Sequence, residues 1–306
     1  MRSLLLFVSL LMGMPIYSGI EEYFKKACDK NGHHQIRNID FIYLINLDER
    51  PEKYAYCMQQ LSPYGITPYR FSAVNGWELS IESINKLGLK FGPSMQKGQF
   101  GTYYTLQKGL EPQFEIMGVI GRTYFGYYVY PGAIGIVLSH LSVLQDAYDS
   151  GYETIWVMED DIEVLKNPHE LSGLIDQLDV LVGKDGWDVL FTDRDTKDRE
   201  GKTIDCVSFG WRPNFYPSNP RRFQEKEKIS EQFRHIGARY GAYSMILRRS
   251  GVKKLLEFIK RHQIFLPIDM EYTLPNDIRL FTVLEDVVVT HFTAPSDNTS
   301  PGYKEN

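Results

Sequence analysis

Residues Thr154-Ile-Trp-Val-Met-Glu159-Asp160-Asp161 join an apolar run of strand length to three adjacent carboxylates. The β-branched and aromatic content of the run predicts a strand. Like charges in a row repel one another, so this strand end must be solvated, paired or neutralised by a cation. Ligands of α/β sheets bind beyond the carboxyl ends of the strands, which makes a cation site one reading. A solvated strand exit is the other.

The segments around this strand set the fold class. Residues 41–47 form an unbroken apolar run, as expected for a strand covered on both faces. Pro51 is placed to open a helix over 52–61, and a second strand is expected over 68–74, closed by the turn signal Asn75-Gly76. Strand, helix, strand is a βαβ unit, the start of a parallel sheet. Residues 87–130 alternate glycines and aromatics without a clean period, and 121–130 reads as a hairpin or a mobile loop. Apolar residues from Ile134 to Ala147 then recur at helical spacing, and this helix carries Ser139 and His140 into the acidic strand. Asn167-Pro168-His169-Glu170 predicts a capped helix start running to about Val182. A strand is expected over 186–192 and a long loop over 211–228. A strand over 240–247, a helix over 250–260 and a strand over 287–291 follow. The alternation predicts an α/β fold with a mostly parallel sheet flanked by helices in a single domain, residues 40–295. Before it lie a leader (1–19) and a linker (20–39); after it comes a polar, loosely ordered tail (296–306).

Composition excludes some functions. The net charge of −5 lacks the basic excess of a nucleic-acid binder. The abundant aromatics, 20 Tyr and 17 Phe, suit sugar binding but equally suit a core. The apolar stretch from Leu4 to Met14 is short for a membrane span and reads as a signal peptide, or as an uncleaved anchor that would be the chain's membrane contact. Either implies export, to a bacterial envelope or a eukaryotic secretory lumen. Cys28, Cys57 and Cys206 allow one bridge or none.

Four segments together resemble glycosyltransferase family 25, which includes bacterial lipooligosaccharide glycosyltransferases and animal procollagen galactosyltransferases. They are Asn46-Leu-Asp-Glu-Arg50-Pro-Glu-Lys53; Phe71-Ser-Ala-Val-Asn75-Gly76; Gly132-Ala-Ile-Gly135 through Ser139-His140 with Met158-Glu159-Asp160-Asp161; and 242–251 with Pro267-Ile-Asp269. The resemblance implies a GT-A-like fold, a nucleotide-sugar donor and inversion at the anomeric carbon. Ala133 stands where the family usually has an acidic residue, and Lys53 and Asn75 stand where Arg and Asp are usual.

Sugar transfer builds negative charge on a departing diphosphate, which Mn²⁺ or Mg²⁺ offsets. Oxygen and imidazole ligands suit such a metal, so Asp161, Glu159 and His291 are the expected set. Period-two alternation puts Glu159 and Asp161 on one face if the strand continues. Asp160 is expected at the ribose or in the turn. Asn46, Arg50, Lys53, Ser139 and His140 are the other donor-side candidates, with Arg50 and Lys53 either pairing with phosphate or covering surface. Asp269, matched to the family's late aspartate, is the expected catalytic base, with segment capping as its alternative role. Asp193 and Asp195 are a second candidate pair or a solvated loop, and Arg221-Arg222 reads as solvated. The expected activity is transfer of galactose or glucose from a UDP-sugar to a glycan, glycoprotein or glycolipid hydroxyl. A non-catalytic glycan- or partner-binding protein of the same fold is the alternative.

Overall fold

The computed structural model describes residues 19–30 and 36–304. The leader before residue 19 lies outside the described residues. Among those described, no helix is long and apolar enough to cross a membrane.

In chain order the elements are β1 (Phe41–Asn46), α1 (Pro51–Leu61), β2 (Tyr69–Ser72), α2 (Ile81–Leu87), β3 (Leu89–Lys90), β4 (Phe100–Thr105), β5 (Gly109–Ile116) and β6 (Thr123–Gly126). Then follow α3 (Pro131–Asp149), β7 (Thr154–Glu159), β8 (Ile162–Val164), α4 (Glu170–Val182), β9 (Val189–Phe191), β10 (Lys226–Lys228) and β11 (Phe233–Ile236). The last are β12 (Ser244–Arg248), α5 (Arg249–His262), α6 (Ile268–Glu271), β13 (Leu280–Val283) and β14 (Val288–Thr290).

Eight strands form the main sheet in the order β10-β11-β13-β9-β12-β7-β1-β2. Pairing is parallel through β2-β1-β7 and between β9 and β13, and antiparallel at both edges of β12. The fold is thus α/β, a large mixed sheet flanked by helices in one domain. Alternation explains the layering. Phe41, Tyr43, Ile45, Ile155 and Val157 enter one core with α3 and α5. Ile42, Leu44, Trp156 and Met158 enter the other with α1 and α4.

Residues 87–130 resolve into a second, four-stranded antiparallel sheet, β3-β6-β4-β5. Its β5 keeps no buried residue, although Leu110, Pro112, Phe114 and Ile116 alternate with Glu111, Gln113 and Glu115, a strand signal the sequence reading missed. The segment read as a linker also packs: Ile20 and Ile36 are buried, and Lys25 donates to the Ala73 carbonyl at 2.7 Å. All three cysteines are free.

Two solvated readings are corrected. Arg222, unlike the exposed Arg221, is buried and donates to the carbonyls of Thr273, Leu274 and Pro275. Asp193 is buried against Arg239, 3.0 Å away, while Asp195 pairs with Arg234 at 2.6 Å. Both aspartates are therefore held by arginines.

Candidate active site

The site forms where β1, β2 and β7 end and the amino-terminal half of α3 crosses them. Close packing makes it. A Cβ on Gly135 would stand 2.5 Å from the Gly76 nitrogen and 2.6 Å from the Val74 carbonyl oxygen. Ser139 Oγ, one turn further, accepts from Val74 N at 2.8 Å and donates to the Gly135 carbonyl. Ser139 thus fastens the helix to the turn, and its hydroxyl is already committed.

β7 ends at Glu159, and Asp160 and Asp161 turn into β8. The extended geometry that would have put Glu159 and Asp161 on one face therefore stops short. The turn still brings all three carboxylates to one pocket, with Lys53, Asn75, Trp77, Ser139 and His140. Glu159 follows the face of Ile155 and Val157 and so meets α3, where His140 Nε2 lies 2.8 Å from its Oε1. His140 Nδ1 is 2.9 Å from the Tyr272 hydroxyl. Burial and the Glu159 charge hold Tyr272 well above the usual phenol range, so it stays a donor. The tautomer consistent with both contacts has Nδ1 accepting from Tyr272 and Nε2–H donating to Glu159.

Asp160 faces the other side. Its Oδ2 accepts from Asn46 Nδ2 at 2.8 Å, and Lys53 Nζ is 3.6 Å from Oδ1. Asn46 also donates to the Arg50 carbonyl and accepts from Arg70, so this buried amide fixes the β1–α1 turn. Burial raises the Asp160 pKa, against the pull of Lys53 and Asn46.

Asp161 is the least satisfied member. Its Oδ1 is sealed and has no hydrogen-bond partner. Burial, then the charges of Glu159 and Asp160, push its carboxyl up to about 7. A divalent cation would relieve all these penalties together. The pocket carries Glu159, Asp160, Asp161 and Asp297 against Arg50 and Lys53, an excess of negative charge. Among the described residues no three His, Cys, Asp or Glu side chains converge as a ready-made metal cage. Asp161 and Glu159 are the pocket carboxylates that could hold Mg²⁺, with ligand oxygens completing its shell. His291 reaches Asp161 through its backbone, donating to the Asp161 carbonyl at 2.6 Å. Its ring stacks on Tyr56 with centroids 5.6 Å apart, and Nε2 lies 3.3 Å from Thr293 Oγ1.

Asp269 lines a second chamber with Ala133, Glu159, Tyr240 and Tyr243. Its Oδ2 accepts from Gly241 N and its Oδ1 from Met270 N, both at 2.9 Å. Asp269 lies inside α6, whose N-cap is Pro267 with no side-chain cap, so it does not cap that helix; burial raises its pKa, with a contribution from Glu159. Glu159 faces both chambers and links them.

Sequence reasoning missed Trp77, Tyr272 and Asp297. Tyr272 follows Asp269 by three residues and carried no motif. Asp297 lies in the tail read as loosely ordered, yet residues 296–298 line the pocket.

A model of glycosyltransferase family 25 (LPS biosynthesis protein) matches residues 39–272. A glycosyltransferase 25 family member of Aedes aegypti is 24% identical over 235 residues, 76% of this chain and 30% of that protein. The human inactive glycosyltransferase 25 family member 3 is 26% identical over 166 residues, 54% of this chain and 23% of its own length. The mouse protein of that name is 26% identical over 156 residues, covering 51% and 22%. The chain therefore spans less than a third of the length of these curated relatives. The family match runs unbroken from β1 through the acidic turn after β7 to Asp269 and Tyr272, and on that extent the chain belongs to glycosyltransferase family 25.

Proposed function

We propose that this chain transfers a hexose, galactose or glucose, from a UDP-sugar to a hydroxyl of a glycan, glycoprotein or glycolipid, with inversion and with help from Mn²⁺ or Mg²⁺. The observation that carries this reading is the unpartnered, buried Oδ1 of Asp161 in an over-acidic pocket. A cation bound by Asp161 and Glu159 would supply charge neutralisation for a diphosphate leaving group. The protein's own groups do the rest. His140, held by Tyr272, orients the Glu159 carboxylate. Asp160 keeps Lys53 at the pocket wall, and Arg50 stands on the same side, where each can pair with phosphate oxygens.

The acceptor enters the second chamber beside Asp269. Its oxygen bonds to the anomeric carbon as the bond from that carbon to the donor phosphate oxygen breaks. The electron pair of the broken bond leaves with the diphosphate, and the hydroxyl proton passes to the Asp269 carboxylate. A base whose pKa is raised toward working pH is better matched to that task.

UDP release from UDP-galactose and UDP-glucose, with and without Mn²⁺, tests the reading. Metal-dependent release, lost in Asp161→Asn and Asp269→Asn, supports it; no UDP-sugar turnover under any of these conditions sinks it. A second reading, a non-catalytic glycan- or partner-binding member, is favoured by one observation. Ala133 lines the Asp269 chamber, so the acidic group usual at that position is missing from the acceptor side. Glycan binding without turnover would select it.

A further inference from the structure

Residues 295–304 return to the donor pocket from the far end of the chain, beyond the segment the family model matches. The Asp297 carboxylate is 7% exposed, with Oδ2 2.7 Å from Arg50 Nε and 3.5 Å from Lys53 Nζ. Its main-chain oxygen accepts from Trp77 Nε1 at 2.8 Å. The carbonyl oxygens of Asp297 and Asn298 lie so near Gly132 that a Cβ there would be 2.4 Å from each. Further on, the Tyr303 hydroxyl accepts from Asn75 Nδ2 at 2.7 Å.

The segment fills space that a ligand would need. With it in place the pocket holds a cavity of about 100 Å³; sites for ligands of cofactor size take roughly 300–1,000 Å³. Ser296 and Asn298 wall both chambers, so the same strap separates the acidic pocket from the Asp269 side. It is also imperfectly satisfied. Asp297 Oδ1 and Asn298 Oδ1 are buried without partners, a penalty the strap sheds on leaving. An oxyanion between an arginine and a lysine is the arrangement a phosphate group would take up.

We propose that residues 295–304 are a self-ligand of the donor site. The Asp297 carboxylate occupies the anion position of Arg50 and Lys53, and the diphosphate of a nucleotide displaces it. The identity of the displacing ligand rests on the function proposed above; the anion position does not.

Titration calorimetry with inorganic pyrophosphate and with UDP, both in Mn²⁺, on the wild type, Asp297→Ala and Tyr303→Phe tests this. Asp297→Ala should bind both ligands about tenfold more tightly and Tyr303→Phe roughly threefold. Ligand should also speed amide exchange across residues 295–304 of the wild type, a readout that stands even where Asp297→Ala fails to fold. Unchanged or weaker binding by both variants, or slower exchange on binding, overturns the proposal. Tighter pyrophosphate binding with no UDP binding by any of the three upholds the strap and sinks the nucleotide-sugar reading. Equal UDP binding by all three does the reverse, and binding of neither ligand overturns both.

Discussion

His140 and Glu159 meet 2.8 Å apart across the α3–β7 boundary, the imidazole fully buried and the carboxylate still open to two chambers. The histidine thus holds Glu159 in place from beneath, and the carboxylate is the member of the pair that lines the chambers. His140→Ala leaves the Tyr272 hydroxyl and one face of Glu159 without partners. The expected stability loss is roughly 2–4 kcal/mol by denaturant unfolding. If the proposed transfer holds, donor turnover in folded protein falls about ten- to a hundredfold. A stable His140→Ala protein with full turnover would contradict this role.

Asp161 gives the pH prediction. Its carboxyl titrates near 3.8 when unperturbed and is pushed up to about 7 in the fold. Between those values the native state binds more protons than the unfolded state, so without added cation stability falls as pH rises from about 4 to about 7. Asp161→Asn removes the buried charge and is expected to exceed the wild type at pH 8 by on the order of 1–4 kcal/mol, with no gain below pH 4. Mn²⁺ should raise the wild-type Tm at pH 8 and leave that of Asp161→Asn unchanged. Thermal unfolding over pH 4–8, with and without Mn²⁺, reads all three effects.

Gly135→Ala tests the helix–turn contact. The new Cβ would meet backbone atoms of Val74 and Gly76 rather than a flexible side chain. The helix must move away, at a cost of roughly 3 kcal/mol or more. Because Ser139 ties the same turn, the shift should also weaken binding of the proposed UDP-sugar donor, which calorimetry would show.

Arg212 and Glu271 form a fully buried ion pair under α6. Arg212 also donates to the carbonyls of His262 and Gln263, and Glu271 accepts from Leu266 N at 2.9 Å. Removing one charge strands the other, so Arg212→Met is expected to cost about 3–5 kcal/mol. Adding Glu271→Gln keeps an acceptor for Leu266 while removing the stranded charge, and should recover part of that loss. Urea unfolding of the single and double variants compares them.

The segments that could be read in advance are those whose signal is local. Six consecutive buried residues in β1, Pro51 at the first turn of α1 and the helical spacing from Ile134 to Ala147 each report their element without help from the rest of the chain. The acidic end of β7 stood out for the same reason: three carboxylates after an apolar strand need compensation wherever the chain goes. β5 alternates Leu110, Pro112, Phe114 and Ile116 with Glu111, Gln113 and Glu115, a period of two that is easily passed over because its proline counts against a strand.

The sequence by itself determined the α/β alternation, the family motifs and the carboxylates that face the pocket, because propensity, periodicity and charge repulsion act over a few neighbouring residues. Only the tertiary structure decided what those carboxylates meet. The antiparallel placing of β12 beside β7, the contact of His140 with Tyr272 across 132 positions, and the return of Asp297 to Arg50 across 247 depend on packing between distant segments. No local preference encodes such contacts. They exist because burying the two cores leaves these polar groups beside one another, where each must find a partner or pay for its absence.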